Sequence, residues 1–152
     1  MKKGVLKIVL VIFVLILIIA QFIRPDLNQG DMDVNKDFLV TEAASPAVAM
    51  LMKNACYDCH SNSTSYPWYS KISPLSFWIQ GHVDHGKENL NFSEWTTYSI
   101  KKKKHKLEEC VEEVEDGKMP LKSYTWMHGN AKLNQEDMDL LVEWFRALIA
   151  QY

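Results

Sequence analysis

The chain has 152 residues, 47% of them hydrophobic and 24% charged. Residues 25–152 hold 13 of the 17 basic side chains and all 19 acidic ones, a net charge of −6, which argues against nucleic acid as a partner. Three cysteines cannot build a disulfide framework, and the 128 residues after the first 24 suit one domain with a modest core.

Val5 to Ile23 contains no acidic side chain and one charge, Lys7. The run is long enough to span the hydrocarbon core of a bilayer. Lys2, Lys3 and Lys7 precede or begin it, which places the N-terminus in the cytoplasm and the rest of the chain on the exported side. A cleaved signal peptide is the competing reading. The run exceeds an ordinary signal-peptide core, and Ala20 is followed by Gln21, Phe22, Ile23 and Arg24, a poor cleavage sequence. Residues 1–24 are therefore read as an uncleaved anchor, and 25–44, polar and without periodicity, as a linker.

Residues 45–152 read as an all-α domain. Ser45-Pro46 opens a helix with Ser as N-cap and Pro at the first helical position, and the helix runs straight into Cys56. Asn62 to Pro67 is a turn-rich loop. Ser73-Pro74 repeats the cap signal for a second helix bearing Leu75, Trp78, Ile79 and His82. Asn91 and Glu94 suggest a capping box for a third helix, which carries Leu107, Val111 and Val114 and stops at Gly117. A loop from Met119-Pro120 to Gly129 follows. Asn134 caps a last helix with Met138, Leu141, Trp144, Phe145 and Leu148 on a broad apolar face. No strand pattern is visible.

Cys56-Tyr57-Asp58-Cys59-His60 is the motif with the sharpest chemistry. Two cysteines two residues apart, followed at once by histidine, match c-type haem attachment: each sulfur adds to one haem vinyl group and the histidine ligates the iron. A dithiol redox pair would sit in a βαβ pattern, which is absent. A structural zinc site needs about four ligands, and no second CxxC or HxxxH completes one. The motif predicts one haem c per chain, held by Cys56 and Cys59 with His60 as proximal ligand.

The chain resembles two plans. Its order of helix, CxxCH, Met-Pro loop and final helix is similar to class I cytochrome c. More closely, it resembles the bacterial haem-binding-domain family of anchored proteins with a single CxxCH. That resemblance rests on Cys56 to His60, His82-Val83 with Gly86, Leu90 to Trp95, Met119-Pro120, Tyr124, His128, Ala131 and Leu133. It implies haem and export more firmly than a pathway. One departure is Leu121, where a second proline often follows Met-Pro in the family.

The sixth iron ligand is expected to be Met119, beside Pro120 in the loop before the last helix. His128, His82 and Met127 are the alternatives, and Tyr124, Trp126 and Trp78 are expected around the haem. His82 and His85, three apart, could also pair on a metal, though nothing in the sequence completes such a site. Cys110 shares a helix face with Leu107, Val111 and Val114 and reads as a small core residue. Lys101 to Lys104 reads as a solvated face with pairs such as Lys104–Glu108. Three functions fit: an electron carrier tethered to the bacterial inner membrane with its haem domain in the periplasm and redox proteins as partners; a haem enzyme of peroxidase type or a gas or redox sensor with a displaceable sixth ligand; or a module in which haem is structural. The Met-Pro loop favours the first.

Overall fold

The computed structural model describes residues 2–152, and every regular element in that range is helical. Helix α1 (Lys2–Ala20) holds an 18-residue stretch, Lys3–Ala20, of mean hydropathy 2.8 with none of it covered by the rest of the protein. It is long and apolar enough to cross a membrane.

The segment read as a linker is packed into the domain. Asn28 is buried and donates to the Ser61 carbonyl and the Thr64 hydroxyl, both at 2.8 Å. Helix α2 (Phe38–Thr41) is capped by Asp37, whose Oδ1 accepts from the Leu39 N–H at 3.0 Å and from the Tyr57 hydroxyl at 3.1 Å. Phe38 has no exposed surface; it stacks on Phe92 at 5.0 Å and meets Trp95 edge-on at 4.5 Å. Three apolar residues between polar ones give no repeat to read, and only distant partners make Phe38 and Leu39 core, while Val40 stays exposed.

Helix α3 (Pro46–Ala55) begins as expected, with the Ser45 side chain accepting from the Val48 N–H. The short helix α4 (Tyr57–His60) follows Cys56 and carries the rest of the motif. Helix α5 (Leu75–Asn89) does not use Ser73 as its cap: that hydroxyl donates to the Ile23 carbonyl at 3.1 Å instead. Asn91 caps a 3-10 turn, Phe92–Thr97, by accepting from the Ser93 N–H, and Ser99 caps helix α6 (Ile100–Glu115). The third helix thus starts later than the Asn91–Glu94 reading implies, because the Glu94 carboxylate is engaged by the Asn62 amide at 3.3 Å.

Gly117 ends α6 at φ +63°, with its N–H on the Val114 carbonyl and the Lys118 N–H on the Glu113 carbonyl, a Schellman turn. The Met119 N–H also reaches Glu113 O, at 2.9 Å, so the turn delivers Met119 immediately beside the end of α6. After helix α7 (Lys122–Thr125), helix α8 (Gln135–Gln151) opens on a full capping box between Asn134 and Asp137. Helix α8 packs on α6 and α3, and Leu141, Phe145 and Leu148 meet Met52, Trp95 and Leu107 in the core.

Candidate functional site

Helix α4 exists where it does because α5 lies almost in contact with its backbone. A Cβ added at Gly86 would stand 2.6 Å from the Cys59 carbonyl oxygen, so glycine is required for this approach. The approach brings the carbonyl of Leu90, just past the end of α5, to 3.1 Å from His60 Nδ1. A carbonyl can only accept, so the proton sits on Nδ1 and Nε2 keeps the lone pair that a metal needs. Burial, the largest influence, holds the His60 pKa below its ordinary value, while hydrogen bonds to the Leu90 and Gly86 carbonyls oppose it. His60 is therefore a neutral, oriented imidazole at neutral pH.

His60, Cys56 and Cys59 line a cavity of about 650 Å³ between α4, α5 and α6. That volume falls within the range of cofactor sites, about 300–1,000 Å³. Burial pushes the Cys56 thiol up to about 12 and Cys59 up to about 11, so both are neutral S–H groups at physiological pH. The walls are largely apolar, with Leu90, Phe92, Val114 and Phe145; α6 adds one ammonium, Lys106, which pairs with Glu109 at 2.6 Å, and the carboxylates of Glu112 and Glu113. Two free thiols, a metal-ready imidazole, apolar walls and a cation fit a haem with its vinyl groups, iron, ring and propionates.

The structure divides the candidate ligands into two groups. Met119 and His82 line this cavity. The His82 Nδ1 donates to the Trp78 carbonyl at 2.8 Å, which leaves its Nε2 unprotonated in the neutral ring. His128 lies elsewhere: its Nε2 meets the Tyr69 hydroxyl at 3.1 Å and its Nδ1 the Tyr124 carbonyl at 3.0 Å, so both ring nitrogens are occupied. Met127 is exposed and does not line the cavity.

Of the expected pocket aromatics, only Tyr124 lines the cavity, and its hydroxyl is committed to Asp58 Oδ2 at 2.7 Å. Trp126 is 90% exposed, and Trp78 stands half-exposed with its ring 4.4 Å from that of His82. Sequence reasoning also missed several members of the site. Cys110 and Lys106 line the cavity from α6, and Cys110 also packs against the core as its helix face suggests. The available signal is the spacing Lys106, Cys110, Glu113, one face of a helix. Burial pushes the Cys110 thiol up, so it too is neutral. Among the described residues no group of three or more His, Cys, Asp and Glu is arranged to hold a metal ion, which leaves the His82–His85 pair without further ligands. On α6, Glu109 pairs with His105 and Lys106.

An all-helical domain with a cofactor-sized cavity over a CxxCH turn defines the class of this protein. The chain belongs to the haem-binding domain family, whose model matches residues 15–147, and it binds haem. No curated protein and no solved structure gives a match.

Proposed function

We propose that this protein is a membrane-tethered c-type cytochrome that carries one covalent haem and passes single electrons on the periplasmic side of a bacterial inner membrane. The observation that carries the reading is that Cys56, Cys59, His60 and Met119 line one cavity. Cys56 and Cys59 each add S–H across one vinyl group; the sulfur and the hydrogen end on its two carbons, and no oxidant is consumed. His60 binds iron through Nε2, with the Leu90 carbonyl holding the ring. Met119 would supply the second protein ligand to the iron, and Lys106 would be the cation available to a propionate. Haem then supplies a one-electron iron couple, while the protein sets ligand, dielectric and docking surface for redox partner proteins. Helix α1 supplies the tether, and the lysines at its start orient it.

Met119 is favoured over His82 because a second iron-binding residue would have to come from a wall other than the one that holds His60. His82 stands about one turn from Gly86 on the same helix that packs against the proximal motif. Met119 arrives from the far end of α6, a separate wall. His82 nonetheless defines a second reading, bis-histidine ligation at lower potential, since it lines the cavity and its hydrogen bond to the Trp78 carbonyl uses Nδ1.

Haem staining after denaturing electrophoresis tests attachment: the wild-type band stains, and Cys59→Ala loses most of the stain. Loss of haem from the wild-type protein under these conditions would overturn the reading. Ferric and ferrous visible spectra test the ligand. Met119→Ala should abolish the thioether-to-iron charge-transfer band, lower the potential and admit carbon monoxide, while His82→Ala keeps the low-spin spectrum. The reverse pattern assigns the sixth position to His82.

A further inference from the structure

Three of the five tryptophans are neither core nor haem wall: Trp68, Trp78 and Trp126 are exposed. Two of them belong to one surface, formed by the 3-10 turn Trp68–Lys71 and the first turn of α5. Trp68 is 74% exposed and Trp78 51%, and Ile72, Leu75 and Phe77 stand out between them. Lys71 is the only Asp, Glu, Lys or Arg between Asp58 and Asp84, in a domain whose net charge is −6.

The position of this surface is fixed by the end of α1. Gln21 makes two hydrogen bonds to the backbone of Ser73, from Nε2 to the carbonyl at 3.0 Å and to Oε1 from the N–H at 3.1 Å. The Ser73 hydroxyl donates to the Ile23 carbonyl at 3.1 Å. The apolar stretch of α1 is 18 residues long, about 27 Å, close to the roughly 30 Å of a bilayer's hydrocarbon core. Residues 21–23 then lie at the level of the lipid headgroups, and Ser73 is bonded to them. Its neighbours Ile72 and Leu75, and the tryptophans at either side, are held at the same level.

We propose that the 68–78 corner rests in the headgroup layer of the bilayer that α1 enters, with Trp68 and Trp78 as interfacial anchors and Lys71 reaching lipid phosphate. This inference rests on the anchor reading given under the proposed function. Tryptophan favours this layer because its ring is amphipathic, and a lysine beside it can place its ammonium among phosphates. The docked face adjoins the haem wall through Trp78, which packs on His82. The domain is thereby held in one orientation rather than swinging on a tether, and the cavity stays at a fixed height above the membrane.

Photo-crosslinking tests the contact. The full haem-loaded chain is reconstituted in phosphatidylcholine–phosphatidylglycerol vesicles that contain a phospholipid with a diazirine near its glycerol, and lipid adducts are mapped by peptide mass spectrometry. Adducts are expected on α1 and on peptides covering 68–78, and not on Met50 or Ile100, which are equally exposed apolar residues elsewhere. The double variant Trp68→Ser/Ile72→Ser, which leaves the His82 neighbour Trp78 in place, should cut the 68–78 adducts about tenfold, with α1 adducts and the haem spectrum unchanged. Adducts on α1 alone, or spread evenly over Met50 and Ile100, overturn the docking and leave the anchor standing. Crosslinks from 68–78 to another protein in place of lipid overturn it as well. Absence of adducts on α1 overturns the anchor, and the docking with it.

Discussion

At the residue scale, the site is organised by Gly86 and the Leu90 carbonyl, whose residues belong to the family resemblance but whose roles only the structure gives. Gly86 permits α5 to touch the Cys59 backbone, and that contact puts Leu90 O against His60. Gly86→Ala is therefore not a mild change. Backbone and Cys59 Cβ surround the new methyl, at 2.6 and 3.1 Å, and neither can swing aside. Overpacking of this kind costs about 1–3 kcal/mol. Helix separation should also release the His60 ring. The expected outcome is a lower urea midpoint together with reduced haem incorporation, read from the ratio of Soret absorbance to protein absorbance. Unchanged incorporation would show that the close approach is not what positions the ligand. The CxxCH motif and the Met-Pro pair are legible because each is written in adjacent residues. The hydrogen bond to His60 is not, because its acceptor is a backbone atom thirty residues away.

At the element scale, the legible helices are those whose ends are written locally. Ser45-Pro46 and the Asn134–Asp137 capping box start α3 and α8 where the sequence suggests, and Gly117 ends α6. The misread elements have cap residues that serve distant partners. Ser73 is taken by Ile23, and Glu94 by Asn62. The least legible element is α2, four residues whose helix is stabilised by packing rather than by propensity. Phe38 meets Phe92, Trp95 and Trp144 within 5.0 Å and has no exposed surface. Phe38→Ala should destabilise the domain by about 3–5 kcal/mol, the range for emptying a fully buried aromatic site. Chemical denaturation of the wild type and the variant measures it. A loss below about 1 kcal/mol, the scale of surface changes, would mean that the 25–44 segment behaves as a linker after all.

At the scale of the whole molecule, the two ends of the domain are joined by one cluster. The Tyr152 hydroxyl at the end of α8 donates to Glu42 just past α2, and Glu42 also accepts from Trp95 Nε1 at 2.6 Å and lies 3.8 Å from Lys103 Nζ of α6. Glu42 and Lys103 are largely buried, so the carboxylate depends on these partners. Burial, and then the bond to Glu42, pushes the Tyr152 pKa up to about 12. The unfolded chain releases that proton near 10. Above about pH 10 the folded state thus binds more protons than the unfolded state, and stability must fall as pH rises until the folded group also titrates. Burial pushes Tyr57 and Tyr124 upward as well, so they add to the same slope. The stabilising contribution is fully present at neutral and acidic pH and is lost on the alkaline side. Urea midpoints measured from pH 8 to 11.5, about 1.5 units beyond the ordinary tyrosine value, should be flat at first and then decline. In Tyr152→Phe the midpoint should be lower at pH 8, by the equivalent of about 1–2 kcal/mol for a lost bond to a charged acceptor. Its alkaline decline should be shallower, because one of the four upward-shifted tyrosine hydroxyls, Tyr69 being the fourth, is gone. A variant that declines as steeply as the wild type would show that the Glu42–Tyr152 contact does not close the domain in solution.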